Sequence, residues 1–116
     1  MKKIYELNDL LSELQEINGC FLDFITTKGI QAGIFRLRPF QKDTQAPYWV
    51  DEVYYVIEGS GFIEINNKNY AIKERTSVFP TGAEHRFHGN NEDLVILYPL
   101  GSDISGDSWT VVDIIK

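Results

Sequence analysis

The segment Val53-Tyr54-Tyr55-Val56-Ile57 carries an apolar or aromatic side chain at every position, so any strand it forms is apolar on both faces. A strand with one solvated face would instead alternate apolar and polar residues. The second face must therefore be covered by another sheet layer, by a helix or by a second subunit. We expect a homodimer to supply at least part of this cover.

Short segments of this kind recur through the chain and are separated by turn residues about every eight to twelve positions. The predicted strands are Phe21–Ile25, Gln31–Arg38, Val53–Glu58, Phe62–Ile65, Tyr70–Ile72, Ser77–Phe79, Arg86–His88, Leu94–Tyr98 and Trp109–Ile115. The run Asn66-Asn67-Lys68-Asn69 tolerates positive φ and predicts a hairpin tip. This pattern is typical of an all-β sandwich or barrel.

One segment near the start of the chain has helical periodicity. An apolar stripe at three- and four-residue intervals predicts a short N-terminal helix at about 7–17, formed by Leu7, Leu10, Leu11, Leu14 and Ile17. We expect Asn8 or Asp9 to cap its first turn and Asn18-Gly19 to end it. The expected organisation is a single domain over 1–116, with the helix packed over one end of a barrel core at about 21–116.

Composition excludes several function classes. The chain has 116 residues and a formal net charge of −6, so it lacks the clustered positive charge that nucleic acid binding requires. Its apolar runs are too short to span a bilayer, and the segment after Met1 is too polar for a secretory signal. Cys20 is the one cysteine, which fits a reducing compartment and predicts a small buried apolar residue. We expect a cytoplasmic protein.

Two polar stretches inside this apolar pattern carry a resemblance to a known family. In the first, Glu52 is followed by six residues and then Gly59; in the second, Pro80, Gly82 and His85 keep a fixed spacing. These stretches resemble the two motifs of the cupin superfamily, and the resemblance covers roughly residues 32–99. It implies an all-β double-stranded β-helix, or jelly-roll barrel. One departure is that Gly89 stands where the second motif has Asn, with Asn90 next.

The resemblance also implies a divalent metal site, and here the sequence departs further. Cupins usually bind iron, manganese, zinc or nickel through two first-motif histidines, a glutamate and a second-motif histidine. Glu52 and His85 occupy two of these places, whereas the first-motif histidine places hold Ala46 and Tyr48 or, in another spacing, Gln45 and Pro47. The resemblance thus leaves a degenerate metal site of Gln45, Glu52 and His85 for one Fe, Mn, Ni or Zn ion, or none.

His88 is a poor replacement for the missing histidines. It lies three residues after His85, so on one extended strand the two imidazoles point to opposite faces. We expect His88 at the surface or the rim. The predicted ligand-binding cluster is therefore Gln45, Tyr48, Glu52, Tyr54 and His85.

Three functions are compatible with this cluster. The first is a barrel that binds a small organic ligand among aromatic walls. The second is a metal-dependent oxygenase, or an isomerase or epimerase of a small carbonyl compound or sugar, with Glu52, His85 and Tyr48 as candidate catalytic residues. The third is a barrel with a filled interior that serves assembly alone. The sequence leaves open whether the protein is an enzyme, and it does not identify the ligand.

Overall fold

The computed structural model describes residues 2–43, 53–80 and 83–101, which form one helix and eight strands. The elements in chain order are α1 (Leu7–Glu16), β1 (Phe21–Thr26), β2 (Ile30–Leu37), β3 (Tyr54–Glu58), β4 (Gly61–Ile65), β5 (Lys68–Ile72), β6 (Ser77–Val78), β7 (His85–His88) and β8 (Leu94–Gly101). Each described strand lies within one or a few residues of a predicted one. The predicted strand Trp109–Ile115 lies outside the described residues.

The strands form two antiparallel sheets, which confirms the all-β jelly-roll prediction. The larger sheet has the order β1-β2-β8-β3-β6, and the smaller has the order β5-β4-β7. The late strand β8 pairs along its length with β2 and also with β3, so it joins the first and middle parts of the chain. The hairpin between β4 and β5 turns at Asn66 and Asn67, whose φ angles of 49° and 67° confirm the predicted tip.

The main core lies between the two sheets. The larger sheet contributes Phe35, Leu37, Tyr54, Val56, Val78, Leu94, Ile96 and Tyr98, and the smaller contributes Ile63, Ile72 and Phe87. Inward-facing residues alternate along each strand with residues of the outer face, as the pleat requires. The side chains that enter the interior from β3 and β7 are therefore fixed by strand register.

A second core covers the outer face of the larger sheet. Leu10 and Leu14 of α1 pack on Ile34 of β2, and partly buried side chains from the helix, the segment before it and several strands join them. Those side chains are Tyr5, Leu11, Leu22, Phe24, Ile57 and Leu97. The helix therefore supplies cover for the second apolar face, including Ile57 of the segment that is apolar at every position. Tyr55 of the same strand remains 37% exposed.

The ends of α1 differ in part from the prediction. The N-cap is Glu6, and it makes no side-chain capping hydrogen bond, so the expectation of an Asn8 or Asp9 cap is wrong. The helix begins earlier because packing of its apolar stripe, rather than a capping side chain, decides where it starts. At the other end Asn18 takes a φ of 52°, so asparagine provides the left-handed residue.

None of the described segments forms a helix with the length and apolar character that a membrane crossing needs.

The helix cover predicts a specific sensitivity at Leu14, which is 0% exposed. Leu14→Ala removes buried apolar atoms and leaves a cavity, so we expect a loss of about 2–5 kcal/mol in the free energy of unfolding. Ile17→Ala is the matched control because Ile17 is 57% exposed, and we expect its effect to stay below about 0.5 kcal/mol. Urea titration measures both. Equal losses in the two variants would contradict the assignment of α1 as a structural cover.

Candidate functional site

Tyr54 and His85 meet in the interior although they belong to different sheets. Tyr54 is the first residue of β3 in the larger sheet, and His85 is the first residue of β7 in the smaller one. Their side chains are joined by a hydrogen bond of 2.8 Å between the Tyr54 hydroxyl and His85 Nε2. Only 2% of Tyr54 and 8% of His85 are exposed. This bond places a phenol and an imidazole together beside the main apolar core.

The second ring nitrogen of His85 determines which atom donates in this bond. His85 Nδ1 lies 2.7 Å from the Ala83 carbonyl oxygen, which can only accept. Nδ1 must therefore carry a proton. In the neutral imidazole Nε2 is then the acceptor, and the Tyr54 hydroxyl donates to it. The backbone of the segment before β7 thus fixes the His85 tautomer and aims Nε2 at Tyr54.

Aromatic packing holds the two rings in place. The Tyr54 and His85 rings meet edge to face, with centroids 5.5 Å apart and an interplanar angle of 65°. On the same side of β7, Phe87 makes an edge contact with Tyr54 at 5.1 Å and 86°. These arrangements are the favoured ones for aromatic pairs. Edge contacts between rings therefore pack Tyr54 against both His85 and Phe87.

Two buried polar residues, neither of which was predicted to have a role, anchor the strand that carries His85. The Asp43 carboxylate accepts a hydrogen bond of 2.8 Å from the backbone N–H of Phe87. The Asn90 amide donates to the carbonyl oxygens of Leu37, at 2.9 Å, and Glu92, at 2.8 Å. The signal for Asn90 was its place one residue beyond the asparagine of the second motif. Asp43 had no comparable signal, because its partner is a backbone group that no side-chain pattern reveals.

The structure brings together two of the five predicted ligand-binding residues, Tyr54 and His85. The other three, Gln45, Tyr48 and Glu52, lie outside the described residues, so their placement stays a prediction. His88 lies on the outer face of the smaller sheet. There it stacks on Phe62 with a centroid distance of 5.8 Å, and Nε2 bonds to Asn69 at 2.7 Å.

The described donor set does not by itself fit a metal ion. Within 2–43, 53–80 and 83–101, no three His, Cys, Asp or Glu side chains come together as a site would require. His85 Nε2, the atom that points into the interior, accepts the Tyr54 hydroxyl, so coordination would have to displace that bond. A site built on His85 needs Gln45 and Glu52, and it stays a prediction.

The fixed tautomer of His85 generates a spectroscopic prediction. The chain has only two histidines, so their side-chain nitrogen signals are readily assigned in long-range ¹H–¹⁵N spectra. We expect neutral His85 to carry its proton on Nδ1. Tyr54→Phe removes the donor to Nε2, so it should shift that ¹⁵N signal and lower the free energy of unfolding by about 1–3 kcal/mol.

The control for this measurement is Tyr70→Phe, because Tyr70 is 49% exposed on β5. It should leave the His85 signals unchanged. An Nε2–H tautomer of neutral His85, or equal shifts in the two variants, would contradict the assigned bond.

The chain has a relative of similar length among known proteins. No family model matches the chain. The protein SCO3923 of Streptomyces coelicolor, described as uncharacterized, is 30% identical over 96 residues, which cover 82% of this chain and 91% of that protein.

Solved structures show the same fold. A cupin-2 domain containing protein from Shewanella frigidimarina superposes with a TM-score of 0.65 at 18% identity, covering 84% of this chain and 94% of that one. The DMSP lyase DddQ from Ruegeria pomeroyi has a TM-score of 0.64 at 13% identity, covering 73% of this chain and 47% of that one. The chain belongs to the same family as SCO3923, and its two opposed antiparallel sheets, with His85 turned into the space between them, have the cupin fold.

Proposed function

We propose that this cupin barrel binds a small organic ligand in its interior, with the Tyr54–His85 pair as its polar anchor. The observation that carries the proposal is the buried 2.8 Å hydrogen bond between the two side chains, made across the two sheets. Small-molecule sites are mostly apolar and contain a few converging polar groups that orient the ligand. Tyr54 and His85, enclosed by aromatic residues, are a pair of this kind.

The pair offers complementary hydrogen-bonding groups to a ligand oxygen. The Tyr54 hydroxyl is a donor that a ligand carbonyl or carboxylate can accept, and His85 Nε2 is an acceptor for a ligand hydroxyl. A ligand that replaces the direct bond with one bond to each group leaves neither group unsatisfied. This exchange favours small hydroxy-carbonyl compounds, including sugars and hydroxy acids.

Three predicted residues complete the proposed site. Gln45, Tyr48 and Glu52 precede β3 in the chain, and Tyr54 is the first residue of that strand. We propose that the amide, phenol and carboxylate of these residues contact the same ligand. Glu52 and His85 are then the remainder of a degenerate metal site that lacks the other imidazole donors. In this proposal they contact the organic ligand instead of a metal ion.

The alternative is an enzyme whose active site is the same barrel interior, and one observation favours it. A protein of the same fold, DddQ, is a lyase. A carboxylate at Glu52 and an imidazole at His85 would be an acid–base couple for isomerising a small carbonyl compound or a sugar. A metal-dependent enzyme would need one Fe, Mn, Ni or Zn ion coordinated by Gln45, Glu52 and His85. We place binding first because Tyr54 engages the imidazole nitrogen that the metal would need.

Ligand screening with matched histidine variants tests the proposal. A panel of hydroxy acids, keto acids and monosaccharides is titrated against untagged protein, and affinity is followed by tryptophan fluorescence. We expect the best ligand to bind about tenfold or more weakly to His85→Gln, because a polar ligand group loses its buried partner. His88→Gln is the control, since His88 lies on the outer face, and its affinity should be unchanged.

Two results would overturn ligand binding. One is that no compound binds in a manner that depends on His85. The other is stoichiometric Fe, Mn, Ni or Zn in the untagged protein that disappears in a Glu52→Ala/His85→Ala double variant, together with turnover that depends on the metal. The second result would establish the enzyme.

We also propose a cytoplasmic homodimer. The helix covers Ile57 of β3, but Val53 and Tyr55 remain 38% and 37% exposed beside it. Light scattering after gel filtration should give twice the chain mass at micromolar concentration, and Tyr55→Lys should reduce it to the monomer because a charge at an apolar interface is costly. A monomer of the native protein would contradict the dimer.

A further inference from the structure

A second groove lies outside the barrel, where the end of α1 meets the end of β2. Its volume is about 350 Å³, and its walls are residues 18–20 of the helix–strand loop, Arg36, and residues 38–41 after β2. The backbone N–H of Arg36 donates to the Cys20 carbonyl at 2.8 Å, which holds the two walls together. The groove is therefore formed by two adjacent chain segments that a backbone hydrogen bond holds together.

Within residues 2–43, 53–80 and 83–101, no carboxylate balances the charges in this groove. Only 8% of Arg36 is exposed, yet its side chain makes one hydrogen bond, at 3.3 Å, from Nη2 to Gln15 Oε1. Arg38 Nη2 donates to the same oxygen at 2.7 Å. Two guanidinium groups thus share one neutral acceptor. Among the described residues no carboxylate lies within ion-pair distance of either, whereas the exposed Arg86 has Glu64 at 3.1 Å.

The end of the helix does not account for this pair of arginines. The carbonyl oxygens of Glu13, Leu14 and Gln15 already accept backbone N–H groups from residues 17, 19 and 18. The arginines donate to the Gln15 side chain and not to these carbonyls. The orphan acceptors of the last turn are therefore largely capped without them.

A bound anion would compensate the positive charge of Arg36 and Arg38. A buried guanidinium with few hydrogen bonds is costly, and two like charges on one neutral oxygen repel each other. Guanidinium groups bind carboxylate and phosphate oxygens through short charge-assisted bonds, often in pairs. The groove presents two such groups on a chain whose net charge is −6, so the positive charge is local to this place.

The lip of the groove carries an aromatic residue in an unfavourable conformation. Phe40 is fully exposed, and its φ is 65°, in a turn that Gln41 closes by donating its backbone N–H to the Arg38 carbonyl at 3.1 Å. With proline at the second position, such a turn usually has glycine at the third. A large side chain held there at a cost in backbone energy offers a flat apolar surface beside the two arginines.

We propose that this groove binds the oxyanion group, carboxylate or phosphate, of a small organic molecule whose planar apolar part rests on Phe40. Arg36 and Arg38 bind the oxyanion. This site is separate from the barrel interior and does not depend on the function proposed for Tyr54 and His85.

Phenyl phosphate and inorganic phosphate are the probes, titrated into the ¹⁵N-labelled full chain. We expect saturable shifts in the backbone amide signals of Cys20, Arg38 and Gln41. Arg38→Gln should weaken both probes about tenfold, because a charge-assisted bond is lost and the exposed position tolerates the change. Arg75→Gln is the matched control, since Arg75 is exposed elsewhere and the charge change is the same.

Gln15→Glu tests the charge argument directly. It places a carboxylate where both arginines already donate, so it should raise the melting temperature and abolish binding of both probes. Phe40→Gly should weaken phenyl phosphate and leave inorganic phosphate unchanged, while the melting temperature rises because glycine accepts the positive φ.

Three results would overturn the proposal. They are equal weakening in Arg38→Gln and Arg75→Gln, unchanged phosphate binding in Gln15→Glu, and shifts spread over the whole surface without saturation.

Discussion

The larger sheet buries apolar side chains on both of its faces, and the rest of the structure depends on this constraint. Along β2, Phe35 and Leu37 point into the space between the sheets, while Ile34 and Arg36 point toward the side that α1 covers. The same division runs along β8. Because side chains alternate strictly along a strand, one register fixes both the interior that holds Tyr54 and the outer groove that holds Arg36. A shift by one residue would move the polar and apolar positions to the wrong faces at once.

The hydrogen bond between Tyr54 and His85 joins the two sheets beside the main apolar core. Such a bond contributes little net stability, but its loss removes a hydrogen-bonding partner from two buried polar groups. It therefore favours one arrangement of the two sheets over others. Asp43 and Asn90 act in the same direction, because Asp43 ties β7 itself, and Asn90 the residues just after it, to another part of the chain. The His85 side chain is thus positioned by its own strand, by the backbone before it and by Tyr54.

Much of the fold could be predicted from the sequence, because its signals are local. Runs of β-branched and aromatic residues predict the strands, and Asn66-Asn67 predicts a hairpin. The apolar stripe that contains Leu10 and Leu14 predicts the helix. The convergence of Tyr54 with His85 is different, since it depends on the pairing of distant strands in two sheets. Sequence spacing placed both residues in the site but could not predict that they bond to each other. The prediction of an Asn8 or Asp9 cap for α1 was wrong for a related reason. Tertiary packing decides where the helix starts, and a local sequence signal carries no information about that packing.

The buried polar groups of this barrel fall into two kinds, and the difference separates structural roles from binding roles. Asp43 and Asn90 are satisfied by strong hydrogen bonds within the chain, and they hold strands in place. Arg36 is equally buried but has one long bond to a neutral oxygen. Folding does not require an arginine at that position, since an apolar side chain under the helix would bury at lower cost. An anion from outside would supply the counter-charge that no described residue provides, and it would reach Arg36 through the open groove beside Arg38 and Phe40.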